Sequence, residues 1–202
     1  MQYGFKLMLL SVIISFLGFV TENLWLLFTK GYIDNRSMIL PFLSGYGILV
    51  IGFYLLFGTP AEMRFEISDN QLSNDVVYYL LAFLTVSVGE ILLGSFVEKA
   101  IGIIYWDYSW IPFHLTRYTS LPTSLGFALI IMLFMKYCFT PIMNWLSLVP
   151  DTLLFPSAFF LFGFTCLDTL HSFAVMYKTH NLYCLWRITL AHDLTCSFIL
   201  YQ

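Results

Sequence analysis

Residues 7–21 read LMLLSVIISFLGFVT, a run without a single charged side chain. A helix needs roughly 20 mostly apolar residues to cross about 30 Å of hydrocarbon, and apolar residues extend this run over positions 5–28, with Glu22 near its end. Lys6 alone is a thin basic flank and no A-x-A cleavage site closes the run, so we interpret it as a first transmembrane span and not as a signal peptide.

The composition agrees with a membrane location. The chain is 59% hydrophobic and only 10% charged, with a mean hydropathy of +0.82, whereas a soluble domain carries about 25% charged residues. Its surface must therefore face lipid. We predict an all-α fold, with residues 1–202 as a single transmembrane domain built from a bundle of five to six helices. The predicted spans are about 5–28, 39–57, 76–100, 120–139 and 153–177, and residues 182–201 form either a sixth span or a helix in the membrane interface.

Charge and motifs limit what the chain can do by itself. The net charge of −3 argues against a nucleic-acid partner. The four cysteines show no CxxC spacing, and we predict neither a metal site nor a cofactor. The sequence contains no Gly-rich phosphate-binding motif, so any ATP must be bound by a separate ATPase chain.

The distribution of basic residues predicts the orientation in the cell membrane. Loops with an excess of Lys and Arg lie on the cytoplasmic side. One side of the predicted topology holds three such residues, Lys6, Arg64 and Lys136, and the other holds six, Lys30, Arg36, Lys99, Arg117, Lys178 and Arg187. We therefore expect the N-terminus outside.

An acid followed by aromatic residues recurs near the ends of the odd-numbered spans. Glu22 and Glu98 are 76 positions apart, and Glu98 and Asp168 are 70 apart. Similar offsets favour three repeated helical hairpins. The alternative is that aromatic enrichment at membrane interfaces produces the pattern without any repeat.

Four acids lie in the C-terminal halves of the odd-numbered spans: Glu22, Glu90, Glu98 and Asp168. These spans run in the same direction, and ionisable groups within spans usually face the protein interior. We predict that the four acids line one polar cavity in the cytoplasmic half of the bundle. The alternative is that they lie at the membrane boundary, solvated or paired with arginine.

Glu90 and Glu98 can share a helix face, because eight residues correspond to a rotation of about 80°. Gly94 lies between them and would allow another helix to approach closely. Arg36 and Arg117 are the predicted counter-charges, with Asp107 and His114 close to Arg117 in sequence.

Several of these residues, in this order, resemble the ABC-transporter type IV permease family over roughly residues 10–135. The first motif is carried by Gly18-x3-Glu22, Asn35-Arg36, Pro41 and Tyr46-Gly47, and the second by Glu90-x3-Gly94-x3-Glu98, Trp106-Asp107-Tyr108-Ser109 and Pro112. There are two departures: Ser-Met-Ile-Leu replaces a Gly-rich stretch after Arg36, and the usual glycine after Pro112 is missing.

This resemblance implies a multi-pass permease that works with a separate ATPase subunit and takes a small or amphipathic substrate. The residues that would line its substrate site are Glu22, Arg36, Tyr46, Glu90, Glu98, Trp106, Asp107 and Tyr108.

A second, more distant resemblance is to membrane-embedded lycopene-cyclase-type domains. It rests on paired hairpins with an acid near a span end, a Trp-x-Tyr loop and Leu121-Pro122. It implies a membrane enzyme that acts on a lipid or isoprenoid, with Glu22, Glu90 or Asp168 as the general acid. The Pro-x-Glu-Glu signature of those domains is absent, since Pro122 is followed by Thr-Ser, so we keep this enzyme as the alternative to the permease.

Overall fold

The computed structural model describes residues 2–65 and 70–189, and helices account for most of this part of the chain. The helices are α1 Gln2–Lys30, α2 Ser44–Phe57, α3 Gln71–Ile101, α4 Leu121–Leu133, α5 Phe139–Leu146 and α6 Asp151–Thr179. A five-residue π-helix, Phe134–Cys138, joins α4 to α5. This architecture confirms the all-α class.

Four helices are long and apolar enough to cross a membrane within the described residues: Gln2–Lys30, Gln71–Ile101, the continuous Leu121–Leu146 and Asp151–Thr179. The predicted span at 39–57 becomes α2, which is apolar but only 14 residues long. A helix of that length rises about 21 Å, which is short for the hydrocarbon thickness. The count of five to six spans therefore stays a prediction.

The predicted helix at 182–201 is not present in its first part. Residues 182–186 have irregular structure and Arg187–Thr189 form a strand. Positions 190–201 lie outside the described residues.

Short strands join the helices in antiparallel pairs. The strands are β1 Tyr32–Asp34, β2 Gly58–Thr59, β3 Glu62–Met63, β4 His114–Thr116, β5 Thr119–Ser120 and β6 Arg187–Thr189. They pair as β1 with β6, β2 with β3 and β4 with β5. The β1–β6 pair is the one that joins residues far apart in sequence, because it brings Asp34 opposite Arg187.

The chain divides into two compact units. Unit 1 comprises Met1–Ile48 and Pro150–Gln202, and unit 2 comprises Leu49–Val149. In unit 1, α1 packs along α6, with the rings of Phe5 and Phe155 4.7 Å apart. In unit 2, α3 packs along α4.

Small residues and aromatic rings make these packings close. In unit 1 a Cβ at Gly47 would overlap the backbone of Ser11, so only glycine allows α2 to approach α1 at this point. In unit 2, Phe53 lies edge-on against Tyr78, with ring centroids 5.1 Å apart. Large apolar side chains such as Leu92 and Phe96 of α3 are exposed, as expected of a surface in contact with lipid.

Candidate functional site

Glu22 of α1 is the centre of a polar cluster in unit 1. Arg36 donates a hydrogen bond to its Oε2 at 3.1 Å, and the Tyr46 hydroxyl donates one to its Oε1 at 2.5 Å. The Tyr46 ring lies against Gly18, where a Cβ would come within 2.6 Å of it. The Glu22 and Arg36 side chains are only 16% and 17% exposed, so this charge pair is largely removed from solvent.

Asp34 connects the Glu22 cluster to the segment that follows α6. Its carboxylate accepts the backbone N–H of Arg36 at 3.0 Å and pairs with Arg187 at 3.4 Å. The adjacent Asn35 is buried and donates to the carbonyl of Tyr183 at 3.0 Å, while it accepts from Leu185 N–H at 3.0 Å. Side-chain hydrogen bonds thus hold residues 183–187 against the turn that follows α1.

Asp168 of α6 is buried and binds backbone groups. Its two oxygens accept the N–H groups of Ile39 and Leu40, each at 3.0 Å, and Ser172 donates to it at 3.4 Å. These donors satisfy the buried carboxylate and hold residues 39–40 in an irregular conformation. The start of the predicted second span is therefore not helical.

Glu98 of α3 is the centre of a second cluster, in unit 2. Arg117 donates to its Oε1 at 3.2 Å, and the Tyr118 hydroxyl donates to its Oε2. The Tyr118 ring lies against Gly94, where a Cβ would overlap it. Burial, and then the hydrogen bond to Glu98, raise the pKa of the Tyr118 phenol, which therefore stays protonated as a donor. The Glu98 and Arg117 side chains are 42% and 45% exposed.

The aromatic loop Tyr105–Ser109 contacts the backbone of Arg117 and Tyr118. The Trp106 indole donates to the carbonyl of Tyr118 at 2.8 Å, and the N–H of Tyr108 donates to the carbonyl of Arg117 at 2.7 Å. Asp107 is exposed and accepts both the hydroxyl and the N–H of Ser109. These two hydrogen bonds, and the nearby Arg117, lower the pKa of the Asp107 carboxyl.

Glu90 lies two helical turns before Glu98 and binds a chain of hydroxyls. Ser124 of α4 donates to its Oε2 at 3.3 Å, and Ser124 in turn lies 2.7 Å from the Thr119 hydroxyl. The Glu90 side chain therefore faces α4 within unit 2.

The family described as "Putative ABC-transporter type IV" matches residues 9–173. The chain belongs to this family. No curated protein and no solved structure matches this chain. The match confirms the suspected family and spans both clusters, and together with the four long apolar helices it identifies a membrane protein of a transporter family.

The structure of this family member brings several predicted site residues together. Unit 1 joins Glu22, Arg36 and Tyr46 directly, and unit 2 places Glu98 beside the Trp106–Tyr108 loop through Arg117 and Tyr118. Both predicted counter-charges therefore contact an acid of their own unit. A single cavity lined by all four acids stays a prediction.

Two features of this chain are missed by sequence reasoning. Lys136, in the π-helix, donates a hydrogen bond to Asp75 of α3, and these side chains are 31% and 13% exposed. A lysine within an otherwise apolar stretch was the available signal, because such a charge needs a partner. Asn35 is also buried at the centre of a hydrogen-bond network.

Among residues 2–65 and 70–189, no group of three or more His, Cys, Asp or Glu side chains is placed to hold a metal ion.

Proposed function

We propose that this protein is the multi-pass membrane subunit of a transporter and that it binds a small or amphipathic substrate through the acids of α3, Glu90 and Glu98. Membership of a transporter family supports transport. The acids support a polar binding site, because ionisable groups within spans are costly and usually mark a substrate or ion pathway.

The observation that carries this proposal is the exposure of the Glu98 cluster. Glu98 belongs to a helix long enough to span the membrane, yet its side chain is 42% exposed and its Arg117 partner 45% exposed. An exposed ion pair contributes only about 0–1 kcal/mol of stability, so a substrate charge can replace either partner at small cost. Glu90, which accepts a hydrogen bond from the Ser124 hydroxyl, would extend this polar path along α3.

Energy for transport would come from a separate ATPase subunit. The 202 residues contain no phosphate-binding loop of their own. In the cell membrane, the Lys and Arg distribution supports an orientation with the N-terminus outside.

The test compares cells that express the wild-type protein, Glu90→Gln or Leu93→Gln. Gln keeps the size of Glu90 but removes its charge and its titratable proton. We expect mass spectrometry of lipids and small metabolites to find the same compounds redistributed between cells and medium by wild type and Leu93→Gln. Glu90→Gln should lose this redistribution at an unchanged amount of protein in the membrane.

Two outcomes would overturn this assignment. Retained redistribution in Glu90→Gln, or equal loss in Leu93→Gln, would remove Glu90 from the pathway. A compound that is chemically altered, instead of moved, would replace transport with the acid-catalysed conversion of a lipid or isoprenoid.

A further inference from the structure

Unit 1 shows how this fold holds a guanidinium group. The guanidinium carbon of Arg187 lies 4.3 Å from the centroid of the Tyr32 ring, and its NH2 is 3.4 Å from Asp34 Oδ2. The cation is thus placed between an aromatic face and a carboxylate. Both contacts favour a guanidinium or ammonium group, the ring through its quadrupole and the carboxylate through a charge-assisted hydrogen bond.

Unit 2 repeats the residues that make this arrangement. Tyr105-x-Asp107 has the spacing of Tyr32-x-Asp34, and each pair follows a long helix that ends at a left-handed glycine, Gly102 or Gly31. Each aspartate also accepts the backbone N–H two residues later.

The backbone contacts after the two aspartates also correspond. In unit 1, Asn35 donates its N–H to the carbonyl of Trp186 at 3.3 Å, and Trp186 directly precedes Arg187. In unit 2, Tyr108 donates its N–H to the carbonyl of Arg117 at 2.7 Å. An arginine-bearing segment therefore lies against the same backbone position in both units.

The two regions differ in the number of arginines that pair with their two acids. In unit 1, Arg36 pairs with Glu22 and also lies 3.8 Å from Asp34, and Arg187 pairs with Asp34. In unit 2, Arg117 pairs with Glu98. Within the described part of the chain, no Lys, Arg or His comes within 4.0 Å of the Asp107 carboxylate, although Arg117 and His114 act on it from farther away.

We propose that Asp107 and the aromatic loop Tyr105–Ser109 bind the guanidinium or ammonium group of an organic cation. This inference rests on the proposed function, for which it names the substrate class: an amphipathic molecule with a positively charged head. The bound cation supplies to unit 2 the charge that Arg187 supplies to unit 1. Hydrogen bonds from Ser109 keep the pKa of Asp107 low, so its carboxylate is ionised at neutral pH.

Isothermal titration of the purified full-length protein with arginine methyl ester tests this site. The wild type should bind one equivalent, and Asp107→Asn should weaken binding by about tenfold, as expected for the loss of a hydrogen bond to a charged group. Asn can still accept the Ser109 N–H, so the loop should keep its shape. The control is Glu62→Gln, which removes an exposed acid elsewhere in unit 2 and should bind as the wild type does.

A second variant tests the correspondence between the units. Arg187→Ala removes the cation from Tyr32 and Asp34 and should raise the stoichiometry from one equivalent to two.

Repeating the wild-type titration in nanodiscs with and without phosphatidylethanolamine distinguishes the source of the cation. If this lipid competes with the ester, a headgroup is the natural ligand. If it does not compete, the natural ligand is a soluble cation.

The inference is overturned by wild-type protein that binds no arginine methyl ester, by equal affinity in Asp107→Asn, or by equal loss in Glu62→Gln. A stoichiometry that stays at one in Arg187→Ala contradicts the correspondence between the units. Redistribution of metabolites without ester binding would refute this site alone, whereas ester binding without any redistribution would refute the transport function alone.

Discussion

The Glu22 and Glu98 clusters have the same chemistry and different exposure. Each has a Gly-x3-Glu helix segment, a tyrosine ring against the glycine, the hydroxyl of that tyrosine on the glutamate, and an arginine paired with it. The paired Glu and Arg side chains are 16% and 17% exposed in unit 1 but 42% and 45% exposed in unit 2. The residue types therefore do not by themselves distinguish a structural contact from an accessible site.

The segment after α6 explains part of this difference. In unit 1, residues 183–189 are fastened over the turn after α1 by Asn35, Asp34 and the β1–β6 pair. In unit 2, the Arg117 segment takes the corresponding backbone contact and Asp107 stays exposed. We infer that the Glu22 cluster stabilises unit 1 and that the Glu98 cluster is the one that can exchange partners.

The largest expected effect comes from removing the arginine of each cluster. Arg36→Ala leaves the largely enclosed Glu22 without its counter-charge and should lower the free energy of unfolding by about 3–5 kcal/mol. Arg117→Ala, at an exposed pair, should cost only about 0–1 kcal/mol. Equilibrium unfolding in mixed detergent micelles measures both values, and equal losses would mean that the two clusters are energetically alike.

A smaller effect, similar in both units, should follow from filling the glycine positions. Gly18→Ala and Gly94→Ala each push a methyl group into a tyrosine ring that its own hydroxyl holds in place. Overpacking of this kind costs about 1–3 kcal/mol. The control is Gly45→Ala, where nothing lies within 4 Å of the new methyl group.

Gly45→Ala should leave stability unchanged or raise it slightly, because alanine favours the helix. The same unfolding measurement decides the outcome. If Gly18→Ala and Gly94→Ala are as harmless as Gly45→Ala, the rings do not depend on the glycines for their position.

The sequence predicts those features that depend on composition or on neighbours along the chain. Apolar runs predict the four long helices, and the acids within them predict that Arg36 and Arg117 act as counter-charges. The sequence does not predict contacts between distant segments. Asp34 meets Arg187 only because β1 pairs with β6, and no periodicity in either segment signals this.

The late start of α2, at Ser44, has a similar origin. Apolar residues from 39 onward predict a helix, but Pro41 and the Asp168 carboxylate, which takes the N–H groups of Ile39 and Leu40, delay the start of α2 to Ser44. A proline disfavours a helical conformation in the residue before it. The distant acid then supplies the hydrogen bonds that a helix would otherwise provide.

The most direct test of the difference between the clusters is the reactivity of their acids toward a water-soluble carbodiimide. Intact protein in detergent is treated with the reagent and a neutral amine, and modified carboxyls are located by peptide mass spectrometry. We predict modification at Glu98 and Asp107 while Glu22 stays unmodified, and modification of Glu22 only after unfolding. Equal modification of Glu22 and Glu98 in the folded protein would contradict the assignment of one cluster to stability and the other to binding.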